Sequence, residues 1–396
     1  MKEGWTYKKL GELYPIIMGK TPPRGIARFW DTKKETHNLW VSIADLSKNE
    51  GREIKDTKEY ISNEAIGNIT KIAKGSLLVS FKLTLGKMAF AGDDLYTNEA
   101  IMSLGKRDDL SLKFLYYYFS SLDWGKIAGG SEKVKGKTLN KKSLSEIPIA
   151  YIPLSEQQRI VSRLDSAFAH IDEMKANAEK QVNEARALFQ KALSKALEPK
   201  EGWEEKKFKD LCAFVRGPFG GSLKKDCFVS SGYAVYEQQN AIYNKFTFRY
   251  FIDEGKYNSM IRFSVAPGDL IMSCSGTIGK VAIVPECAAK GIINQALLKL
   301  SPKEFLDKYY LKYLMESSIF GKLIAQYSDG AAIKNIASVA ILKDITLSIP
   351  PLSEQQRIVS RLDSLSKNVK ALEENQRKVI AECDALKQAL LRKVFE

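Results

Sequence analysis

The sequence predicts a mixed α/β (α+β) fold, built from two similar modules and two long helices that pair as an antiparallel coiled coil. Three observations support this prediction. A thirteen-residue string occurs twice, and a helical segment of about forty residues with an apolar repeat begins within each copy. Short β-like runs between glycines and prolines precede each copy.

The repeat gives the order of the domains. The string Pro-Leu-Ser-Glu-Gln-Gln-Arg-Ile-Val-Ser-Arg-Leu-Asp stands at 153–165 and, unchanged, at 351–363. Lys-Glu-Gly-Trp recurs at the same offset, at 2–5 and 200–203. Identity of this length at a matched offset indicates duplication. The predicted domains are a first module at 1–152, a central helix at 153–199, a second module at 200–350 and a distal helix at 351–396.

Both long segments have the pattern of a helix. Ser155 or Ser353 follows a proline, and Gln158 or Gln356 stands three residues later, which is the pattern of a capping box. Apolar residues then recur at steps of three and four, as in coiled coils. In the central helix they are Val161, Leu164, Phe168, Ile171, Ala178, Val182, Ala185, Phe189 and Ala192, interrupted by Lys175. In the distal helix they are Leu362, Leu365, Val369, Leu372, Val379, Cys383, Leu386 and Leu390, interrupted by Gln376.

Neither helix can bury its apolar stripe alone. The simplest arrangement packs one against the other, and we expect them to be antiparallel because a whole module separates them in the chain. At about 1.5 Å per residue, the central helix would be roughly 65 Å long. The alternatives are that each helix packs on its own module or on another chain.

The modules are predicted to be mixed α/β. Their β-like runs lie at 76–81, 269–272, 281–284 and 297–300. Each module also has one aromatic-rich helical segment near its end, at 112–120 and at 306–316. The order of the strands does not follow from these patterns.

The formal net charge is +14, and the excess lies in the two modules. It is +7 over 1–150, zero over 151–199, +5 over 200–349 and +2 over 350–396. A basic surface attracts polyanions, so nucleic acid or an anionic membrane surface is an expected partner. A basic protein without a polyanionic partner is the alternative.

The composition indicates a soluble, cytoplasmic protein with reduced thiols. No run of about 18 apolar residues occurs, and the first residues contain no apolar signal core. The cysteines form no Cys-x-x-Cys pair, so we expect small buried apolar groups and no disulfides. They are Cys212, Cys227, Cys274, Cys287 and Cys383.

No catalytic or metal site is predicted. Five residues separate Gly130 from Gly136, where a phosphate-binding loop has four. The tripeptide at 19–21, Gly-Lys-Thr, runs into two prolines that prevent the helix such a loop needs. The two histidines, His37 and His170, form no group with zinc-ligand spacing, and His170 is expected on a helix surface.

The modules differ most at 19–50 and 216–250, where basic, amide and aromatic residues are mixed. Arginine and lysine suit guanine edges and phosphates, and glutamine and asparagine suit adenine edges. A shared framework with different polar loops is what two different DNA half-sites require, although any single residue could be a solvated loop charge. The predicted DNA-binding residues are Lys20, Arg24, Arg28, Lys33, Lys34, Ser42, Lys82, Lys133, Lys135, Lys137, Arg216, Lys224, Lys225, Gln238, Gln239, Asn240, Thr277, Lys280, Lys334 and Asn335.

Over essentially its whole length the chain resembles the specificity subunits of type I restriction-modification systems. The most specific element is Pro-Leu-Ser-Glu-Gln-Gln-Arg-Ile-Val at the start of both helices, preceded by an Ile-Pro-rich strand. The family's Gly-Asp-Leu and Gly-Thr-Ile-Gly-Lys elements stand at 268–270 and 276–280. The first module departs from them, with Gly-Ser-Leu at 75–77 and Leu-Thr-Leu-Gly-Lys at 83–87. Whether Lys87 and Lys280 act alike is therefore open.

The resemblance implies that each module is a target recognition domain for one half of a bipartite, asymmetric DNA sequence. It implies that the paired helices set the gap between the halves and dock two methyltransferase subunits. Those partners would use S-adenosylmethionine, and restriction subunits would use ATP with Mg, whereas this chain would hold no cofactor. A free-standing or orphan DNA-binding protein and a cryptic nuclease are the alternatives. The implied docking residues are Glu156, Gln157, Gln158, Arg159, Glu354, Gln355, Gln356 and Arg357.

Overall fold

The structure, a computed structural model, describes residues 3–128, 139–219, 221–274, 277, 279–326 and 339–396. The chain divides into two compact units. One contains Met1–Ala178 and Lys378–Glu396, and the other contains Glu179–Arg377. Each unit therefore combines one module with parts of both long helices. No helix in the described ranges is long and apolar enough to cross a membrane.

The first module contains ten strands and five short helices within its described residues. The strands are β1 (Tyr7–Lys9), β2 (Ile17–Met18), β3 (Leu39–Val41), β4 (Glu53–Ile54), β5 (Glu59–Tyr60), β6 (Leu77–Ser80), β7 (Met88–Ala91), β8 (Tyr96–Thr97), β9 (Ile101–Leu104) and β10 (Pro148–Ala150). The helices are α1 (Leu10–Leu13), α2 (Ile43–Lys48), α3 (Leu112–Ser121), α4 (Trp124–Ile127) and α5 (Lys141–Ser145). The central long helix, α6 (Leu154–Ala196), follows.

The second module repeats most of these elements. Its strands are β11 (Glu204–Lys207), β12 (Cys212–Arg216), β13 (Tyr233–Tyr236), β14 (Phe251–Ile252), β15 (Leu270–Ser273), β16 (Val281–Ile283), β17 (Gly291–Ile293), β18 (Leu297–Pro302) and β19 (Thr346–Ile349). Its helices are α7 (Phe208–Leu211), α8 (Gln238–Tyr243), α9 (Glu254–Ser259), α10 (Lys308–Glu316), α11 (Ser318–Gln326) and α12 (Val339–Asp344). The distal long helix is α13 (Leu352–Phe395).

The two modules have similar sheet topologies, but the main sheet of the first module has an additional edge strand, β4. In the first, a sheet of order β2-β9-β6-β7-β4 accompanies a three-stranded sheet of order β5-β3-β8 and the pair β1-β10. In the second, the orders are β12-β18-β15-β16, β14-β13-β17 and β11-β19. Val79 of β6 lies opposite Met102, and Met272 of β15 lies opposite Leu298. The predicted β-like runs thus fall on β6, β15, β16 and β18, and the duplication extends from sequence to fold.

The aromatic-rich helices form because their apolar residues share one face. Ser111 caps α3 by accepting a hydrogen bond from the Phe114 amide. Asp307 caps α10 by accepting from the Tyr309 and Tyr310 amides, so this helix begins two residues after the predicted start. Helix α3 buries Leu112, Phe114, Leu115, Tyr117, Tyr118 and Phe119, and α10 buries Tyr310, Leu311, Tyr313, Leu314 and Met315.

Each module core includes residues of both long helices. In the first unit, Ile160 and Leu164 of α6 lie in the same apolar cluster as Leu391 and Phe395 of α13. In the second unit, α6 contributes Leu193 and Leu197, and α13 contributes Ile358, Val359 and Leu362. In both units, one end of one helix therefore packs beside the opposite end of the other helix.

Polar contacts establish that the two helices are antiparallel. In the first unit, Nζ of Lys175 lies 2.7 Å from Oδ1 of Asp384. Three residues earlier on α6, Asp172 pairs with Lys387, which is three residues later on α13, at 2.5 Å. The second unit shows the same direction: Arg186 pairs with Glu373 at 2.6 Å, and Gln376 donates to Gln181 at 2.9 Å. The predicted interruptions of the apolar stripes, at Lys175 and Gln376, thus find polar partners on the opposite helix.

The prediction that Leu386 belongs to the apolar stripe is wrong. Its side chain is 47 % exposed. The buried face of α13 advances in steps of four here, from Cys383 through Lys387 to Leu391. The Lys387 side chain lies over the Phe168 ring, 5.3 Å from its centre. The aliphatic part of a lysine can fill such a position while its amine reaches a carboxylate.

Candidate nucleic-acid interface

A buried glutamine holds the start of α6 to the first module. Gln157 is fully buried, and its Oε1 accepts a hydrogen bond from the Ser111 amide at 2.8 Å. Its Nε2 donates to the carbonyls of Ile152 at 2.8 Å and Asp109 at 3.0 Å. One side chain thus satisfies three backbone groups and joins the first turn of α6 to the first turn of α3.

The second module repeats this arrangement with Gln355. Its Oε1 accepts from the Asp307 amide at 2.8 Å, and its Nε2 donates to the carbonyls of Pro350 at 2.9 Å and Phe305 at 3.0 Å. Gln355 is also buried, with 1 % of its surface exposed. The first glutamine of the duplicated string therefore has a structural role in both copies.

The aspartate that ends the string makes a second link between helix and module. Tyr117 donates to Asp165 at 2.5 Å, and Tyr313 donates to Asp363 at 2.6 Å. Burial, together with the neighbouring carboxylate, raises the pKa of both tyrosines above the usual value. Both phenols are therefore protonated donors at neutral pH.

The helix bounds and the glutamine contacts correct two predictions about the duplicated string. First, the helices begin at Leu154 and Leu352, so Ser155 and Ser353 lie inside the first turn and do not form capping boxes. In α6 the carbonyl of Pro153 accepts the first helical hydrogen bond, from the Glu156 amide at 3.0 Å.

Second, Gln157 and Gln355 are buried within their own modules and cannot belong to a docking surface. The other six predicted docking residues lie at least partly on the surface. Arg159 pairs with Glu156 on α6, and Arg357 pairs with Glu354 on α13. Gln158 and Gln356 are exposed.

A hairpin with the same hydrogen bonds occurs in both modules. Ser80 is buried, its hydroxyl donates to the Thr84 carbonyl, and it accepts from the Lys87 amide at 3.0 Å. In the second module, Ser273 donates to the Thr277 carbonyl at 2.6 Å and accepts from the Lys280 amide at 3.1 Å. The first module thus keeps the backbone of the framework despite its different sequence.

Lys87 and Lys280 nevertheless have different surroundings. Nζ of Lys87 lies 2.6 Å from Oε2 of Glu50. Lys280 is exposed, and no carboxylate of the described residues forms an ion pair with it. A paired lysine and an exposed lysine therefore occupy the same framework position.

Two predicted DNA-binding residues form part of a shared framework at a helix start. Ser42 caps α2 through a reciprocal pair of hydrogen bonds with Asp45. At the start of α8, Glu237 takes the place of Ser42 and Asn240 that of Asp45. Asn240 accepts from the Glu237 amide at 2.7 Å and donates to the Lys245 carbonyl at 2.7 Å. Asn240 is fully buried, so the prediction that it contacts an adenine edge is wrong in this conformation.

Two predicted cations of the first module are held by acidic residues. The Arg24 guanidinium lies 4.0 Å from the Trp30 ring centre and 4.9 Å from that of Trp40, and it forms a two-point ion pair with Glu59. The Lys34 amine lies 3.2 Å from Asp56. Such exposed pairs contribute about 0–1 kcal/mol, so phosphates can compete for these cations.

Four further cations lie on the same module. Arg28 is exposed and 3.4 Å from Glu64. Lys20 and Lys33 are exposed, and Lys82 is half-buried. The structure therefore leaves these side chains at positions that an anionic ligand can reach.

Sequence reasoning missed Glu99, which lies among these cations. Burial raises its pKa, but a hydrogen bond from the Thr21 hydroxyl and the charges of Lys82 and Arg24 outweigh this effect. The net pKa of Glu99 is below its usual value, so the side chain is ionised at neutral pH. Gln295 stands at the equivalent position between Asn294 and Ala296, which was visible in the repeat.

Three predicted cations of the second module lie at the end of β12 and in the segment that follows it. Arg216, Lys224 and Lys225 are exposed, and the ring of Phe219 between them is 93 % exposed. An aromatic ring in water amid basic residues is typical of a surface that binds nucleic acid bases. Thr277 is exposed at the hairpin described above.

Gln238 and Gln239 of the same module are half-buried in the first turn of α8. Oε1 of Gln238 is buried and accepts no hydrogen bond from the described residues. Nε2 of Gln239 donates to Glu237 at 3.3 Å. The remaining predicted residues, Lys133, Lys135, Lys137, Lys334 and Asn335, lie outside the described residues.

The cysteines and histidines form no site within the described ranges, and no group of three or more metal-ligating side chains lies together there. Burial raises the pKa of Cys212 to about 12 and of Cys274 to about 11, so neither is a nucleophile at neutral pH. All five cysteines are free, but the prediction that they are buried is wrong for Cys287, which is exposed, and for Cys227, which is half-buried. His170 is exposed on α6, as predicted.

Comparisons with known proteins agree with this arrangement. The chain is 26 % identical over 185 residues to the type I restriction enzyme MjaIX specificity subunit of Methanocaldococcus jannaschii, a match that covers 45 % of this chain and 40 % of that protein. It is 22 % identical over 334 residues to the type I restriction enzyme EcoBI specificity subunit of Escherichia coli, covering 75 % of this chain and 68 % of that one. The chain thus spans less than half the length of the first relative.

Two solved structures share the fold. One, from a study of complex assembly and conformational transition of the type I R-M system, has a TM-score of 0.77 at 20 % identity and covers 100 % of this chain and 98 % of that chain. The other is the HsdS subunit from Thermoanaerobacter tengcongensis, with a TM-score of 0.58 at 19 % identity, covering 100 % and 97 %.

The profile of one protein family matches the chain twice, over residues 2–184 and 200–382. Each match contains one module and most of the long helix that follows it. The family is described as the type I restriction modification DNA specificity domain. Because the two matches cover nearly the whole chain, this protein belongs to the type I restriction-modification DNA specificity family and contains two copies of its domain.

Proposed function

We propose that the chain is the specificity subunit of a type I restriction-modification enzyme and binds a bipartite DNA sequence, one half with each module. The observation that carries this proposal is a duplicated framework whose loops differ. The Ser80 and Ser273 hydrogen bonds recur in the two hairpins, and at the starts of α2 and α8 a backbone amide donates to the side chain three residues later. The side chains around this framework change, as from Glu99 to Gln295. A repeated framework with different side chains suits two different half-sites.

The chemistry would belong to partner subunits. Specificity subunits of this family recognise DNA and are not catalytic themselves. We propose that two methyltransferase subunits with S-adenosylmethionine, and restriction subunits with ATP and Mg, assemble on this chain. Within the described helix starts, Gln158, Arg159, Gln356 and Arg357 are exposed side chains that could form the docking surface. A free-standing DNA-binding protein is not favoured, because the relatives are named as subunits of restriction enzymes.

Methylome sequencing tests the proposal. The chain would be expressed together with its methyltransferase subunit in cells without adenine methylation. We expect one asymmetric sequence of two short halves to be methylated throughout the genome, because adenine methylation follows where the chain binds. Methylation scattered over unrelated sequences would contradict the proposal. A complete lack of methylation would also contradict it, provided that the chain and the methyltransferase form a stable complex.

A triple variant assigns one half-site to one module. Arg216→Ala with Lys224→Ala and Lys225→Ala should weaken binding through a single half-site, because all three residues belong to the second module. The matched control is Lys191→Ala with Lys195→Ala, which removes exposed lysines from α6. Equal losses on duplexes of unrelated sequence would indicate that the three residues contact phosphates only.

A further inference from the structure

Leu83 of the first module has an unfavourable backbone conformation. Its φ is +63°, in the left-handed region that favours glycine, and the Thr84 amide donates to the Lys82 carbonyl across it at 2.7 Å. These three residues form a γ-turn of the rare kind with positive φ, which is strained for a residue with a side chain. The Leu83 side chain is 64 % exposed, so burial offsets little of this strain.

The framework itself does not require leucine at this position. Ser80 corresponds to Ser273 and Gly86 to Gly279, so Leu83 corresponds to Gly276 in the sequence of the second module. The hydrogen bonds of Ser80 and Ser273 hold the two hairpins in the same way. The corresponding residue in the sequence of the second module is glycine, so the duplicated sequence gives no reason for a leucine here. Strain of this kind is typical of functional positions.

The surroundings of Leu83 indicate what it contacts. Its neighbour Lys82 lies close enough to Glu99 to lower the pKa of that carboxyl, and Glu99 accepts a hydrogen bond from Thr21. The hairpin tip therefore lies beside the segment that carries Arg24, among the cations predicted to bind DNA. An exposed apolar side chain stands next to a basic surface.

We propose that Leu83 contacts a base of the half-site bound by the first module and recognises thymine through its 5-methyl group. This inference rests on the proposed function. The turn between β6 and β7 exposes the Leu83 side chain. The thymine methyl is the apolar group that base edges present in the major groove. Leucine has no hydrogen-bonding group, so contact with that methyl is the sequence-dependent interaction open to it.

The main test uses Leu83→Gly in the full chain. Glycine removes the side chain and accepts the positive φ, so the melting temperature should not fall. We expect the variant to bind the duplex identified by methylome sequencing about tenfold more weakly than wild type in a fluorescence anisotropy titration, the size of effect typical of one lost base contact. Scrambling the first module's half-site should abolish this difference. The matched control, Leu188→Ala, removes a leucine that is 67 % exposed on α6 and should bind like wild type.

Replacing single thymines of that half-site by deoxyuridine tests the chemistry, because this change removes only the methyl group. One replacement should weaken binding by wild type and have no effect on Leu83→Gly. Unchanged binding by Leu83→Gly, or equal sensitivity of both proteins to every replacement, would overturn the role of Leu83. Failure of wild type to prefer the site over a scrambled duplex would instead contradict the proposed function.

Discussion

At the scale of single residues, the two buried glutamines explain part of the sequence repeat. Gln157 and Gln355 each make three hydrogen bonds with backbone groups of their own module. A shorter or apolar side chain would leave these groups unpaired away from water. The neighbouring Gln158 and Gln356 are exposed, so adjacent, identical residue types have different roles.

We therefore expect Gln157→Ala to lower the free energy of unfolding of the first unit by about 2–4 kcal/mol, because buried unpaired backbone groups cost about 1–3 kcal/mol each. Gln158→Ala should change it by less than about 0.5 kcal/mol. Hydrogen exchange at the Ser111 amide, the donor to Gln157, reports the local effect. Equal protection of that amide in both variants would contradict this role.

At the scale of secondary structure elements, the tyrosine–aspartate pairs join each long helix to its module. Burial and Asp165 raise the pKa of Tyr117, and burial and Asp363 raise that of Tyr313. An unfolded tyrosine loses its proton near pH 10. Above about pH 10 the unfolded chain therefore binds fewer protons than the folded chain, and the free energy of unfolding falls as the pH rises.

This contribution can be measured by comparing the free energy of unfolding of Tyr117→Phe with that of wild type as the pH rises. Tyr117→Phe should be less stable than wild type at neutral pH by about 1.5–3 kcal/mol, because it lacks a hydrogen bond to a charged group. Its free energy of unfolding should fall less steeply than that of wild type from pH 9.5 to 11, a range set around the usual tyrosine pKa of about 10. Parallel curves from denaturant titrations at each pH would contradict the assignment.

The pairing of α6 with α13 can be tested by exchanging charges. Asp172→Lys alone places two lysines together, because Asp172 pairs with Lys387 at 2.5 Å. We expect this variant to lose about 0.5–1 kcal/mol, and Asp172→Lys with Lys387→Asp to recover it. Melting temperatures at low salt measure the effect, and about 1 M salt should remove it. Lack of recovery in the double variant would argue against this register.

At the scale of the whole molecule, we expect the long helices to set the gap between the two half-sites. One heptad inserted into both helices, at Ala178 of α6 and at the facing position on α13, adds about 10 Å to each. At about 3.4 Å per base pair, the spacer should lengthen by about three base pairs without a change in the bases recognised. Methylome sequencing of the variant measures the gap. An unchanged gap would contradict the spacing role.

Sequence patterns predicted the fold well where repeats or regularly spaced apolar residues mark the elements. The duplication was visible as a repeated string, the two long helices as periodic apolar residues, and β6, β15, β16 and β18 as short β-like runs. The pattern failed at Leu386, because a three-residue and a four-residue step look alike until the partner helix selects one. The prediction of capping boxes was wrong because the Pro153 carbonyl accepts the first hydrogen bond of α6, so Ser155 already lies inside the helix.

The sequence indicated which residue types could bind DNA, but it did not indicate which of those side chains are exposed and unpaired in the fold. From residue type alone, Asn240 and Arg216 were equally good candidates for DNA contact. Asn240 is buried at the start of α8, whereas Arg216 is exposed. Hydrogen bonds between residues distant in sequence, such as that from Thr21 to Glu99, decide which side chains remain free. Composition does not contain that information.

Repeats, periodicity and charge are properties of the chain, so two related modules, two long antiparallel helices and an excess of positive charge could be predicted from it. The fold alone shows that the first glutamine of each string is an internal link and that Leu83 is strained and exposed. Burial and pairing depend on which groups meet in space, and the order of residues does not specify this. Identical strings therefore acquire both buried and exposed roles when they fold.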